Sequence, residues 1–221
     1  MYLIDSADPK AIRSIEKTYN ILGVTTNPSL LAKASQNDVL AHLKTIREIT
    51  EGKRLYIQIT ALDYETMFKE ASRLKLEIDA PLTIKIPATE AGYRLMKTLR
   101  HDTDIAATAV SSFHQALMAM SCGAGTIIIY IERLIKSGQN PVTLIKNLRQ
   151  IIDRDYPGTI IMAASLQSKT NAADVLRAGA HRLTLKPEVM PKFFKSKFTD
   201  ENTENFAKDF KKTFRKKTII G

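Results

Sequence analysis

A lysine set in the middle of an otherwise apolar run is the residue of this chain best placed to do chemistry. In Leu82-Thr-Ile-Lys-Ile-Pro87 the side chains alternate, so Thr83 and Lys85 share one strand face and Ile84 and Ile86 the other. The isoleucines suit a face covered by helices, which turns Lys85 toward an interior. There, with no acid adjacent in sequence, the amine loses hydration and its pKa falls toward neutrality. A neutral amine is what attack on a carbonyl requires. The plainer alternative is a lysine reaching solvent from a strand end, as most lysines of any chain must. Asp5 ends the apolar Tyr2-Leu-Ile4 and can serve as acid or base beside such an amine, or cap the turn that follows. Tyr130 interrupts Ile127-Ile-Ile129 and Ile131, where a phenol can also be plain core with its hydroxyl satisfied. Arg133 and Ser165 can grip a phosphate, and Arg133 can equally make a surface ion pair. His42, His101, His114 and His181 sit singly, and Cys122 is the one cysteine, so no metal site is expected. Neither a Gly-x-Ser-x-Gly nor a P-loop is present.

These residues need elements to bring them together. Short β-rich runs alternate with helical stretches throughout. The expected strands are Tyr2–Asp5, Gly23–Thr26, Leu55–Thr60, Leu82–Pro87, Ile105–Val110, Thr126–Ile131, Thr159–Ser165 and Arg182–Lys186. Helix starts are marked by Asp8-Pro9, by Pro28 after Asn27, and by Asp63 and Thr89. Leu144, Ile145, Leu148, Ile151 and Ile152 recur at helical spacing, and Gly179 is placed to stop the last helix before the final strand. Strand followed by helix, without hairpin signals, predicts a parallel sheet, and eight repeats favour closure into a (β/α)₈ TIM barrel. An open Rossmann or flavodoxin-like sheet is the runner-up, but no Gly-x-Gly-x-x-Gly follows the first strand. In a barrel, active sites gather at the C-terminal strand ends. Those ends read Asp5, Thr25 to Asn27, Gln58 with Thr60, Lys85, Thr108, Tyr130 with Arg133, Ser165 and Lys186, an unusually polar series.

The 221 residues, 44% of them hydrophobic, are ample for one core, and residues 1–221 are expected to form one domain. The single cysteine fits a reducing compartment, and Met1-Tyr-Leu-Ile-Asp5 lacks the basic and apolar regions of a signal peptide, so a cytoplasmic location is expected. No apolar run is long enough to cross a bilayer. The net charge of +10 leaves nucleic acid, membrane surfaces and phosphorylated metabolites all open as partners. Residues 192–217 contribute nine basic residues against four acids, half of that excess. Within them a helix is expected over 199–217, with Phe206, Phe210 and Phe214 as one aromatic stripe. The stripe is expected to dock on the barrel or on a neighbouring subunit rather than on a membrane.

Gly23-Val-Thr-Thr-Asn-Pro-Ser29, Ile84-Lys-Ile-Pro87 and Ala163-Ala-Ser165 resemble the small transaldolase and fructose-6-phosphate aldolase family, nearly end to end along the chain. The resemblance implies a cofactor-independent and metal-free barrel enzyme that binds dihydroxyacetone units as a Schiff base on Lys85. Asp5 then matches the first-strand aspartate, Asn27 and Thr25 the residues that hold substrate hydroxyls, and Thr108 a threonine beside the imine. Ser165 and Arg133 match the phosphate-binding pair. Transaldolases of the family resemble one another in a third-strand Glu and a sixth-strand Phe, and aldolases in Gln and Tyr. Gln58 and Tyr130 therefore make this chain similar to the aldolase type. The resemblance also implies a sugar phosphate as the small-molecule partner, neither nucleic acid nor membrane, and a homo-oligomer such as a decameric ring.

The activity so implied is cleavage of fructose 6-phosphate into dihydroxyacetone and glyceraldehyde 3-phosphate. Lys85 forms the imine, while Tyr130 and Asp5 move protons through a water held by Gln58 and Thr108. Transaldolase activity is the alternative, and a non-catalytic barrel binding an anionic partner the next. Three features depart from the resemblance. Ile128-Ile129 stands where the aldolases carry Ala-Pro, Leu134-Ile135 where an acid often follows the arginine, and Lys186 where no charge is expected.

Overall fold

The computed structural model describes residues 1–34, 38–50, 52–79 and 81–220. They form two compact units, Met1–Pro187 and Glu188–Gly221. The first is a closed barrel of eight parallel strands in sequential order. Its strands are β1 (Tyr2–Asp5), β2 (Gly23–Thr25), β3 (Arg54–Gln58), β4 (Leu82–Pro87), β5 (Asp104–Val110), β6 (Thr126–Tyr130), β7 (Ile160–Ala164) and β8 (Arg182–Leu185). Helices α1 (Pro9–Glu16), α2 (Pro28–Ala34), α3 (Val39–Ile49), α4 (Tyr64–Glu77), α5 (Glu90–Leu99), α6 (Phe113–Ser121), α7 (Ile131–Lys136), α8 (Pro141–Asp155) and α9 (Lys169–Arg177) connect them. The second unit holds α10 (Met190–Phe194) and α11 (Lys197–Phe214).

The expected helix signals act as capping chemistry. Asp8 accepts from the Lys10 amide, Asp63 from Thr66 and Thr89 from Gly92. Past α9, Gly179 takes φ 111° while its amide and that of Ala180 return to the Leu176 and Val175 carbonyls. Several strands are shorter at their C-terminal ends than expected. The Tyr130–Ile131 boundary shows why. Ile131 enters α7 directly, and the Glu132 amide donates to the Ser165 carbonyl, so the chain leaves the ladder one residue early.

Inside the barrel, Leu3, Tyr56, Ala106, Ile128, Met162 and Ala164 form one packed layer, with Tyr130 resting on it. Below, the Arg54 guanidinium donates to Thr83 Oγ1 and that of Arg182 to the Tyr56 hydroxyl, each at 3.0 Å. Residues of β4 divide as the alternation requires: Ile84 and Ile86 are wholly buried, and Lys85 faces the interior cavity. Among the described residues no helix is long and apolar enough to cross a membrane.

The C-terminal helix spans Lys197–Phe214 rather than 199–217. Ser196 caps it by accepting from the Thr199 amide, and Arg215 ends it at φ 54°, leaving Lys216 and Lys217 beyond. Phe206 and Phe214 are exposed, and the Phe210 and Phe214 rings lie 4.8 Å apart.

The position of β4 relative to its helix depends on Gly92, in the first turn of α5, where a Cβ would collide with the Pro87 carbonyl oxygen. Gly92→Ala is expected to lower stability by about 1–3 kcal/mol in urea titrations, because the obstacle is backbone and cannot rotate aside.

Candidate active site

At the C-terminal ends of the strands lies a cavity of about 420 Å³. Lys85 forms its floor. The residue is only 3% exposed, and its Nζ donates to the Thr26 carbonyl at 2.5 Å. Burial drives the amine down to about 8, against the opposing pull of the Asp5 carboxylate, which favours the charged form. About a tenth of the amine is therefore neutral at pH 7.

Asp5 is recessed at the end of β1, in register with Thr25. The Thr25 hydroxyl donates to Asp5 Oδ1 at 2.8 Å and lies 2.6 Å from the Thr184 hydroxyl. Desolvation raises the Asp5 pKa, and Lys85, the Thr25 hydrogen bond, Lys186 and Arg133 each work to lower it. Burial thus holds the Asp5 carboxyl above its usual range, which suits it to proton exchange.

Gln58 pairs with Lys85 across β3 and β4, and both line the cavity. Its Oε1 is buried without a hydrogen-bond partner among the described residues. A buried acceptor left open in this way calls for a donor from a water or a bound molecule. Across the cavity Tyr130 shares a 2.7 Å hydrogen bond with the buried Thr108 hydroxyl. Burial pushes the phenol above its usual range, so it stays protonated and can donate. Asn27 uses Oδ1 to cap α2 through the Leu30 amide, leaving its NH₂ as the donor for the cavity it lines.

Arg133 sits at the rim with its guanidinium 4.8 Å from the Tyr130 ring centroid. Ser165 adopts φ 58° and Ala109 φ 56°, left-handed conformations that L-residues hold only when the surroundings impose them. Both border the cavity. The structure therefore gathers Asp5, Thr25, Asn27, Gln58, Lys85, Tyr130, Arg133, Ser165 and Lys186 around one space, with Thr108 reaching it through Tyr130. Thr60 is not among them: its hydroxyl and amide are taken by Glu70.

Sequence reasoning missed Thr184 and Lys33, which also line the cavity. Thr184 alternates with Leu183 and Leu185 and was within reach of the same inward-face argument. No comparable signal marks Lys33, an exposed helix residue. Among the described residues no group of His, Cys, Asp and Glu is placed to hold a metal ion.

A barrel with a buried amine and a carboxyl at its strand ends brings a nucleophile and a proton-transfer group to one cavity. The transaldolase/fructose-6-phosphate aldolase family profile matches residues 2–220. A probable transaldolase of Parvibaculum lavamentivorans is 36% identical over 218 residues, covering 97% of this chain and 98% of that one. Another, of Clostridium acetobutylicum, is 34% identical over 216 residues, covering 96% and 98%. The chain belongs to the transaldolase/fructose-6-phosphate aldolase family. The dihydrodipicolinate synthase of Rhodopseudomonas palustris superposes with a TM-score of 0.59 at 12% identity, over 83% of this chain and 68% of that one, a likeness of fold alone.

Because Lys85 must lose its proton to add to a carbonyl, adduct formation with dihydroxyacetone should rise about tenfold per pH unit below 8 and level off above. In Asp5→Asn the amine loses its stabilising anion, so the acid limb should move to lower pH. Cyanoborohydride trapping followed by mass spectrometry across pH 5.5–9.5 measures both, and an upward move would refute the coupling.

Proposed function

We propose that the chain transfers a dihydroxyacetone unit between sugar phosphates, with Lys85 as its covalent carrier. The observation that carries the reading is the buried amine of Lys85, lowered to about 8 and set beside Asp5. In the first half-reaction Lys85 attacks the ketone carbon of fructose 6-phosphate, and water leaves to give an iminium. Asp5 takes the proton of the C4 hydroxyl, directly or through a water that also fills the open Oε1 of Gln58. The bond between carbons 3 and 4 breaks, its electron pair passes into the iminium, and glyceraldehyde 3-phosphate departs. An enamine remains on Lys85. Asn27 and the Asp5–Thr25 pair hold the hydroxyls of the three-carbon unit, and Arg133 and Ser165 hold the phosphate.

Two fates then compete. A second aldose phosphate captures the enamine, which is transaldolase chemistry, or the enamine is protonated and the imine hydrolysed, which is aldolase chemistry. The names of the curated relatives favour transfer. Tyr130 favours release, because a protonated phenol fixed by Thr108 can deliver the proton that hydrolysis needs. Gln58 belongs to the same pattern.

The chain is read as one functional domain working in the cytoplasm, with α11 seated through Phe206, Phe210 and Phe214 on a second copy in a homo-oligomeric ring.

Borohydride reduction with fructose 6-phosphate should leave a three-carbon adduct on Lys85, and a folded protein without one refutes the reading. Incubation with fructose 6-phosphate, with and without erythrose 4-phosphate, then separates the fates. Sedoheptulose 7-phosphate marks transfer, and dihydroxyacetone formed alone marks release. Tyr130→Phe should shift the product ratio toward transfer by about tenfold or more. For assembly, light scattering should give a multiple of the chain mass, reduced when the three phenylalanines are changed to serine.

A further inference from the structure

Two cations of the cavity rim lie on one arc. Arg133 follows β6, Ser165 closes β7 and Lys186 follows β8, so three consecutive strands each present one anion-binding group to the same space. Ser165 sits between the two cations with its backbone turned at φ 58°. In a closed ring of eight strands, β8 stands opposite β4, the strand that carries Lys85. A molecule bonded to Lys85 at one end has its other end free to extend across the cavity to this arc.

Charge balance gives Lys186 a purpose. A phosphate monoester bears about 1.5 to 2 negative charges at neutral pH, which Arg133 alone does not match. Lys186 is exposed and lines the same cavity as Asp5 and Lys85, and its charge is felt at Asp5. The ends of the seventh and eighth strands are also where barrels commonly bind phosphate. Lys33, from α2, adds a further cation on the side of the cavity beyond β1.

We propose that Lys186 is a third phosphate-binding residue, which with Arg133 and Ser165 grips the phosphate of an open-chain sugar phosphate and makes the site select phosphorylated over unphosphorylated substrates. This rests on the reading of the cavity as a sugar phosphate site. The two cations flank the phosphate and the Ser165 hydroxyl donates between them. The selectivity belongs to this chain's own eighth-strand sequence, Thr184-Leu-Lys-Pro187.

The test compares wild type with Lys186→Ala, Lys186→Glu and Lys186→Arg. Lys186 is exposed, so the three variants are expected to fold as wild type does, which thermal melts are to check. The first readout is the ratio of kcat/KM for glyceraldehyde 3-phosphate to that for glyceraldehyde as acceptors of dihydroxyacetone. It should fall about tenfold in Lys186→Ala and further in Lys186→Glu, and Lys186→Arg should stay within about threefold of wild type. A ratio unchanged in Lys186→Ala overturns the proposal. The second readout needs no turnover: phosphorus NMR titration of the protein with glycerol 3-phosphate, where the dissociation constant should rise about tenfold in Lys186→Ala. If wild type forms no Lys85 adduct, the sugar phosphate reading fails by itself. The titration still decides Lys186, and equal affinity in wild type and Lys186→Ala overturns its role.

Discussion

The barrel is organised around the removal of one amine from water. Lys85 is buried on the inner face of β4, where desolvation favours the neutral form and the nearby carboxylate of Asp5 favours the charged one. The first effect is the larger, which leaves the group near 8, poised between both forms at working pH. A lysine at the surface would be almost wholly protonated and useless as a nucleophile. Deeper burial without Asp5 would leave an amine too weakly basic to pass through the protonated intermediates of imine chemistry. A buried charge is not a strong source of stability, because it surrenders its hydration. Its reward here is chemical, and the surrounding fold supplies the stability.

That fold supplies it by separating the two faces of every strand. Isoleucines of β4 meet the helices while Thr83 and Lys85 meet the interior, and Gly92 lets α5 approach close enough to hold β4 in place. The packed layer of Leu3, Tyr56, Ala106, Ile128, Met162 and Ala164 closes the barrel beneath the cavity. The polar groups above it are restrained by one another. Thr184 and Thr25 fix Asp5, Thr108 fixes Tyr130, and Tyr130 in turn carries the guanidinium of Arg133 over its ring. Ile128 fills space directly below this group, which explains why a branched side chain there is compatible with the fold: it belongs to the packed layer as well as to the cavity wall.

Much of this was legible in the sequence because it follows from periods. Alternation in β4 assigned Lys85 to the interior, and the number of β-rich runs indicated closure. The rule that barrel sites lie at strand ends then assembled Asp5, Gln58, Tyr130 and Ser165. What escaped depends on tertiary context. Thr60 is polar at a strand end yet turns to Glu70 on α4, a partner ten residues away that no periodicity announces. Ser165 and Ala109 take left-handed conformations that their residue types do not advertise. The limits of α11 shifted because a single serine hydroxyl and one left-handed arginine decide where its hydrogen bonding begins and ends.

On the proposed function, the competition between transfer and hydrolysis turns on how long the enamine on Lys85 waits, and the same site pulls in both directions. Tyr130, held by Thr108 with its proton in place, shortens the wait by offering a donor. The arc of Arg133, Ser165 and Lys186 acts oppositely on the proposed reading. When the first aldehyde phosphate leaves, the arc is vacant and positively charged, and it gathers the next phosphorylated aldehyde to the rim. Remote binding energy of this kind raises the local concentration of the acceptor without touching the reacting carbon. Water has no phosphate and gains nothing from it. A second cation on that arc therefore biases the enamine toward capture, so that a tyrosine suited to release and a lysine suited to transfer set the product ratio between them.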